Sequence, residues 1–226
     1  MERGMIAVSF GTSVPEAQTA VEAVENALRR EAPGYSFARA FTSPTIRRVL
    51  AGRGERVPSL TEALEALRAA GVRRAAVQPT HLLYGVEYDK LKAETEAFAG
   101  AFDVLALGRP LLADTGDIKR FAARLSQAYP LAEGSAAVFM GHGTDHFANA
   151  VYPALQTGLR LEGRGDLLVA SYSSVLFSSS ANRSRYISCT QGSSPRPVRV
   201  QQTVWPAASS RGFQSPGGDG GVRRSV

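Results

Sequence analysis

Two patterns of hydrophobic and polar positions alternate along the first 170 residues. Short apolar runs with β-branched centres, such as MIAVSF at residues 5–10, are typical of buried strands. Other stretches place hydrophobic residues three or four positions apart with charges between them, as residues 15–31 do, and this spacing predicts amphipathic helices. Strands that alternate with helices pair in parallel, so the pattern predicts an α/β fold with helices flanking parallel sheets.

The same patterns give approximate bounds for the elements. Strands are predicted over residues 5–10, 35–41, 72–83, 102–108, 135–140 and 166–171. Helices are predicted over residues 15–31, 60–70, 87–99, 117–129 and 146–161. The helix that begins at residue 60 has the clearest start signal, because Ser59 and Glu62 have the spacing of a capping box.

The segment AVSFGTS at Ala7 is echoed by AVFMGHGT at Ala137. Each pairs a strand with a glycine and a small polar turn, which predicts two similar α/β lobes. A second lobe equal to the first would need about as many residues as the first lobe has, and fewer than that follow Ala137. We therefore predict a first lobe at residues 1–130, the start of a second lobe at residues 131–170, and an incomplete second lobe.

Charge separates the last 56 residues from the rest. Residues 1–170 hold 19 basic and 19 acidic residues, whereas residues 171–226 hold seven arginines, one acid and 14 serines, and so carry the whole net charge of +6. Three interpretations stay open for this segment, which is rich in Ser, Arg, Pro and Gly. It is the out-of-frame product of a GC-rich gene, a native disordered tail, or a basic arm for nucleic acid or a membrane surface.

Composition excludes several classes of protein. No apolar run approaches the roughly 18–20 residues of a membrane-spanning helix, and the first ten residues lack the apolar stretch of a signal peptide. Cys189 is the single cysteine, which excludes a disulfide within the chain and a cysteine-based zinc site. We therefore expect a soluble, cytoplasmic protein that contacts neither membrane nor nucleic acid.

Candidate chemistry lies where predicted strands end, since the carboxyl ends of parallel strands open onto the ligand-binding crevice. His142 follows a strand between two glycines, which should leave its imidazole exposed and able to bind a metal or accept a proton. The alternative is a histidine that only caps a helix or turn. His146 lies four residues later, but Gly143 argues against one helix carrying both, so we interpret His146 as an outer or surface residue.

Two further strand ends carry polar groups. Ser9, Gly11 and Thr12 lie at the end of the first strand and are candidate substrate contacts, together with His81 at the end of the third. Glu87 begins a helix, where a carboxylate either stabilises the helix N-terminus or faces the crevice as a metal or proton partner. His81, beside Pro79 and two leucines, also fits a structural role.

Five blocks of sequence resemble the anaerobic cobalt chelatase family, in order and over about residues 4–170. They are VSFGTS at residue 8, RAFTSPTIRRVL at 39, VQPTHLLYGVEYDKL at 77, LGRPLL at 107 and VFMGHGTDHFANAVYPAL at 138. The resemblance implies two α/β lobes around a tetrapyrrole cleft and insertion of Co(II) into sirohydrochlorin for cobalamin synthesis. It implies a lyase that uses no ATP and no organic cofactor, with sirohydrochlorin and a divalent metal as partners; a homo-oligomer is left open.

The resemblance also assigns roles. His142 matches the histidine that binds the metal and accepts a proton, Glu87 matches a carboxylate near the metal path, and His81 matches a histidine of the same block. Three arginines are candidates for contacts to substrate carboxylates, although solvated surface is the simpler interpretation: Arg39, Arg47 and Arg48. Co(II), Ni(II) and Fe(II) all suit imidazole and carboxylate, so these residues alone leave the metal open.

The family pattern departs near residue 170. Its members carry a metal-binding glutamate just after the strand matched by residues 166–171 and a second metal-binding histidine later. Here no acid lies between Asp166 and Asp219, and no histidine follows His146. We therefore expect impaired chelation by this chain, and a non-catalytic tetrapyrrole- or metal-binding protein is the alternative function.

Overall fold

The computed structural model describes residues 3–171 and 202–204, which form two parallel sheets flanked by helices. The strands are β1 (Arg3–Ser9), β2 (Ser36–Phe41), β3 (Arg74–Pro79), β4 (Val104–Leu107), β5 (Ala137–Gly141), β6 (Leu167–Ser171) and β7 (Gln202–Val204). The helices are α1 (Pro15–Glu31), α2 (Pro44–Ala51), α3 (Leu60–Ala69), α4 (Val86–Glu96), α5 (Thr115–Ala128) and α6 (Val151–Leu161). The predicted α/β class is confirmed.

The first sheet has the strand order β2-β1-β3-β4, and every pairing is parallel. The chain leaves β1 toward β2 on one side and returns to β3 on the other. Such a reversal of direction opens a crevice between the loops that follow the two central strands, and ligands of open α/β sheets bind there. The loops after β1 and β3 are therefore the expected binding edge.

The second sheet has the strand order β6-β5-β7, again with parallel pairing. Strand β5 is central, as β1 is in the first sheet, and each is followed by a helix and a parallel neighbour. The two echoed segments thus occupy equivalent positions, which agrees with the prediction of two similar halves.

Each sheet has its own hydrophobic core. The first combines strands β1 to β3 with α3 and α4 around fully buried side chains such as Ile6, Leu64 and Val77. The second combines β5 and β6 with α5 and α6 around Phe139 and Leu159. Helix α5 packs against α6 and so contributes to the second core. The division into lobes at residues 130 and 170 stays a prediction.

Most predicted elements occur close to their expected bounds, and α1 spans residues 15–31 as expected. Helix α2 was not predicted, although Ser43 caps it by accepting from the Ile46 N–H and Pro44 occupies its first turn. The helix expected from residue 146 starts instead as a 3-10 turn, Phe147–Ala150, before α6 begins. The Ser-rich segment was predicted to be disordered or out of frame; of it the structure describes Ser171 and β7, and the rest lies outside the described residues.

Helix α1 places a carboxylate in the interior. The side chain of Glu25 is 2% exposed and accepts hydrogen bonds at 2.7, 2.9 and 3.1 Å from Arg39 of β2. Val24, next to Glu25 on the same helix, is exposed. A buried carboxylate needs such a partner because burial of an unpaired charge is costly.

Within the described ranges, none of the helices is both long enough and apolar enough to cross a membrane.

Removal of the Arg39 side chain should unfold the protein more readily, because Glu25 would remain buried without its partner. Since Arg39 is itself a quarter exposed, we expect Arg39→Ala to lose about 2–3 kcal/mol of unfolding free energy, at or below the low end of the range for buried pairs. Urea denaturation measures this loss. The exposed pair between Arg73 and Asp103 supplies the control, since Arg73→Ala should cost about 1 kcal/mol or less. Equal losses in the two variants would contradict the role given to the buried pair.

The capping box of α3 should make the free energy of unfolding depend on pH in the acid range. The Ser59 N–H and the Arg56 guanidinium donate to Glu62 and lower the pKa of its carboxyl from 4.5 to about 2. A lowered pKa stabilises the fold above about pH 4.5, and this stabilisation is lost as the pH falls toward 2. In denaturation at pH 6, 4 and 3, the difference between the native protein and Glu62→Gln should shrink with falling pH. Glu65→Gln, exposed on the same helix, controls for the loss of one carboxylate. A difference that stays constant over this range would contradict the assignment.

Candidate active site

Two buried polar residues lie where β1 gives way to its loop: Ser9 ends the strand and Thr12 lies in the loop. Thr12 accepts a hydrogen bond from the Val14 N–H and so stabilises its own turn. The hydroxyl of Ser9 is buried and has no hydrogen-bond partner among the described residues. Of the two hydroxyls, that of Ser9 is therefore the one without a partner in the described part of the chain.

Gly11 lies between these residues with a φ of +91°. A Cβ at this position would lie 2.6 Å from Cγ of Phe41, closer than real Cβ atoms come to other groups. Glycine is thus required here both by the left-handed backbone conformation and by the ring of β2 that packs on it.

The loop after β3 joins the two sheets. The Thr80 N–H donates to the Val8 carbonyl at 2.8 Å, and the carbonyls of His81 and Leu82 accept from the N–H groups of Leu111 and Leu112 at 3.0 and 2.7 Å. The Leu82 side chain packs against the second core. Backbone bonds thus hold this loop to the first sheet and to the loop after β4, while its Leu82 side chain attaches it to the second core.

The imidazole of His81 is enclosed within this loop. Both ring nitrogens are buried without a hydrogen-bond partner among the described residues. Burial lowers the pKa of His81 below 6.5, while the carboxylate of Glu87 acts in the opposite direction. The ring is therefore neutral at pH 7, with one N–H and one lone pair to offer.

Glu87 is the second residue of α4, which begins after Gly85. One carboxylate oxygen lies 2.7 Å from Nζ of Lys90, and the other accepts a hydrogen bond of 3.4 Å from the Thr42 hydroxyl. The helix N-terminus also favours a negative charge here. Because the side chain is still one-third exposed, the carboxylate is held in position and yet can be reached from solvent.

His142 follows β5 directly and is exposed, as the flanking glycines predicted. Nothing in the described part of the chain forms a hydrogen bond or ion pair with its imidazole. The space beside Gly141 is occupied by the ring of Tyr152. An exposed imidazole without a partner can bind a cation or accept a proton.

An apolar cavity of about 140 Å³ lies beside His142. Its walls come from the loop after β3, from β5 and β6, and from α5 and α6. Apart from His142 and Tyr152, the lining side chains are hydrocarbon, aromatic or thioether groups: Leu82, Leu83, Leu112, Phe121, Leu125, Phe139, Met140, Val151, Leu155 and Val169. A cavity with so few polar groups binds water poorly.

His146 has a separate structural role. Its Nδ1 accepts from the Ala148 N–H and caps the 3-10 turn, while its Nε2 lies 3.5 Å from Oδ2 of Asp89 in α4. The interpretation of His146 as an outer residue agrees with these contacts. Across residues 3–171 and 202–204, no group of three His, Cys, Asp or Glu side chains lies close enough to hold a metal.

Two of the three candidate arginines are used within the fold. Arg39 pairs with buried Glu25, and Arg47 lies 3.5 Å from Glu62. Arg48 is exposed. The simpler interpretation, in which none of them holds substrate, fits the first two.

Sequence reasoning missed three residues around the candidate site: Thr42, Lys90 and Tyr152. Lys90 could have been found, because it stands three residues after Glu87 on a helix, where side chains meet. Thr42 follows β2 and Tyr152 lies in α6, so both reach the site from other elements of the fold. No local sequence pattern indicates such contacts.

Comparison with known proteins gives one family. The family model Cobalt chelatase (CbiK) matches residues 3–175. Sirohydrochlorin cobaltochelatase CbiKC of Nitratidesulfovibrio vulgaris is 34% identical over 163 residues, covering 70% of this chain and 58% of the relative. Sirohydrochlorin cobaltochelatase of Salmonella typhimurium is 36% identical over 158 residues, covering 69% of this chain and 60% of the relative. The chain thus spans about three-fifths of these curated relatives.

A solved structure shares the fold. SirB from Bacillus subtilis with Fe3+ matches with a TM-score of 0.52 and 16% identity, covering 75% of this chain and 65% of the SirB chain. At this identity the match supports the α/β architecture alone.

The burial of His81 leads to a pH prediction. In an NMR titration of the imidazole protons, His81 should protonate below its ordinary pKa of 6.5, because burial disfavours the charged ring. Glu87→Gln should lower this pKa further, since the carboxylate opposes the effect of burial. A histidine kept neutral by the fold makes stability fall as the pH drops below about 6.5. His81→Gln assigns the resonance. A pKa of His81 at or above 6.5 would contradict a dominant effect of burial.

Proposed function

The chain belongs to the cobalt chelatase (CbiK) family, and we propose that it inserts Co(II) into sirohydrochlorin as a lyase that needs no ATP. The observation that carries this proposal is the exposed imidazole of His142 at the carboxyl edge of the second sheet. The names of the two curated relatives, both sirohydrochlorin cobaltochelatases, supply the substrate class.

Insertion exchanges two protons for one divalent cation. Co(II) forms bonds to the macrocycle nitrogens, two pyrrole N–H bonds break, and the metal keeps its oxidation state. The protein must therefore release the cation and accept the departing protons. A few ligands in an open cleft suit this task better than a closed four-ligand site.

His142 and Glu87 divide this work in our proposal. The imidazole of His142 binds the incoming cation through a ring nitrogen and, once the cation has passed to the macrocycle, accepts one of the two departing protons there, while the other proton passes to solvent water. The carboxylate of Glu87 attracts the cation near its path, while Lys90 and Thr42 keep it from turning away. Lys90 is exposed to solvent and the Thr42 hydrogen bond is long, so a divalent cation can compete with both partners for the Glu87 carboxylate.

Substrate contacts are proposed at Ser9, Gly11, Thr12 and His81. The reversal of strand order between β1 and β3 supports this location. The buried hydroxyl of Ser9 and the ring nitrogens of His81 have no partners in the described part of the chain, so a polar group of a ligand could satisfy them. Thr12 and Gly11 would act through the shape of the loop.

The choice of metal follows the family. Imidazole and carboxylate accept Co(II), Ni(II) and Fe(II) alike. The family description and the names of both curated relatives specify cobalt, which favours Co(II) as the metal substrate. No organic cofactor is needed for an exchange of protons against a cation.

A non-catalytic protein that holds a tetrapyrrole or metal is the second candidate. It is favoured by the absence of an acid between Asp166 and Asp219 and of a histidine after His146. The residues that would carry these ligands in the family fall in the segment from 171 on, most of which lies outside the described residues. If they are needed for turnover, we expect slow insertion by this chain.

Anaerobic absorbance spectroscopy with sirohydrochlorin and Co(II) tests the proposal on the full chain. We expect a Co(II)-dependent spectral change, which His142→Ala should slow by about 10²-fold or more, the lower end for loss of an acid–base group. His146→Gln is the matched control, because this histidine caps a turn instead of facing the cation. Equal rates for the native chain and His142→Ala would refute the role of His142. Binding of sirohydrochlorin without any Co(II)-dependent change would favour the second candidate.

A further inference from the structure

We propose that Tyr152 is a positioning residue that sets the direction of the His142 imidazole. The inference rests on the proposed function, since it matters only if His142 meets the cation. Tyr152 is the second residue of α6, and its ring contacts the backbone on both sides of His142.

The first contact is with Gly141, before the histidine. A Cβ built on Gly141 would lie 2.7 Å from Cζ and 2.8 Å from Oη of Tyr152, inside the closest approach that real Cβ atoms show. The ring therefore packs directly on the glycine backbone. Any other residue at position 141 would push the ring away.

The second contact is with Gly143, after the histidine. The Gly143 N–H donates a hydrogen bond of 3.3 Å to the Tyr152 hydroxyl, and Gly143 has a φ of +77° that favours glycine. The next N–H in the turn, that of Thr144, donates to Oδ1 of Asn149 at 3.2 Å. Side chains that follow the turn thus hold two successive amides of it.

Helix α6 gives the ring a fixed base. The Gln156 side chain donates to the Leu167 carbonyl at 3.2 Å and accepts from the Val169 N–H at 2.7 Å, which ties α6 to β6. Leu155 and Leu159 of the same helix are buried in the second core. The helix cannot move without disturbing the sheet. Tyr152 is therefore held in place, and its contacts hold the turn that carries His142.

The ring is less restrained on its other side, where it lines the apolar cavity of about 140 Å³. Its hydroxyl bond to Gly143 is therefore the contact that keeps the ring over the turn. Without that bond the ring can shift toward the cavity, and the turn loses one of its supports. An imidazole on a looser turn loses more conformational entropy when it binds a cation, and this weakens binding.

The test uses the full chain and Co(II) alone, read by NMR. The chain has only three histidines, and His142→Gln assigns the imidazole signals of interest. Co(II) is paramagnetic and broadens the resonances of a bound imidazole. In the native chain, His142 should broaden at lower Co(II) concentration than His81 or His146.

Tyr152→Phe removes the hydroxyl and keeps the ring. We expect the Co(II) concentration for half-broadening of His142 to rise five- to tenfold, with the Gly143 amide resonance shifted. Tyr129→Phe is the matched control, because Tyr129 packs on Phe139 in the same core and does not contact the turn. This control should leave Co(II) binding unchanged. Gly141→Ala, which displaces the whole ring, should weaken binding at least as much as Tyr152→Phe.

The outcomes separate this inference from the proposed function. If Tyr152→Phe and Gly141→Ala bind Co(II) at His142 as the native chain does, the positioning role is wrong while the function stands. If Tyr129→Phe weakens binding as much as Tyr152→Phe does, the effect is one of general stability and the inference also fails. If His142 in the native chain does not broaden before the other two histidines, the proposed metal site itself is wrong.

Discussion

The loop at residues 80–85 is hydrogen-bonded to the first sheet and packs against the second hydrophobic core, and the placement of the candidate site depends on these two attachments. The Thr80 N–H extends the hydrogen bonding of the first sheet at the Val8 carbonyl. Two residues later, the carbonyl of Leu82 accepts from Leu112 and its side chain enters the second core. A loop fixed at both ends cannot drift with either sheet alone. It therefore holds His81, and Glu87 just after it, in a constant relation to the strand that precedes His142.

The three histidines of this protein lie in three different environments. The ring nitrogens of His81 are buried, and this burial lowers the pKa of the imidazole because solvent cannot stabilise its charge. His146 uses both nitrogens, one as a cap and one toward Asp89. His142 is exposed and has no partner among the described residues. Environment thus leaves one of the three imidazoles ready for a cation, although their intrinsic chemistry is identical. Glu87 complements it, since two donors position a carboxylate that solvent still reaches.

Local patterns predicted most of this architecture and part of the site. Strand and helix periodicity reflects contacts between near neighbours, so α1 and the capping box of α3 could be predicted from the sequence. Helix α2 has only eight residues, too few for a clear period. The pairing of Glu25 with Arg39 joins a helix to a strand, and amphipathic spacing does not reveal it. Exposure of His142 followed from its glycines, but the residue packed on them did not, because Tyr152 reaches the turn from another element.

In each of the two echoed loops an aromatic ring covers a glycine, but the ring comes from a different kind of element. Gly11 follows β1 and Gly141 ends β5, at matching places in the two sheets. An aromatic ring covers each glycine backbone, that of Phe41 from the neighbouring strand and that of Tyr152 from the following helix. Glycine in a loop at the end of a parallel strand is often taken to admit a ligand. Here each glycine instead accommodates a ring of the protein itself, which fixes the loop. The constraint at each position is therefore internal packing.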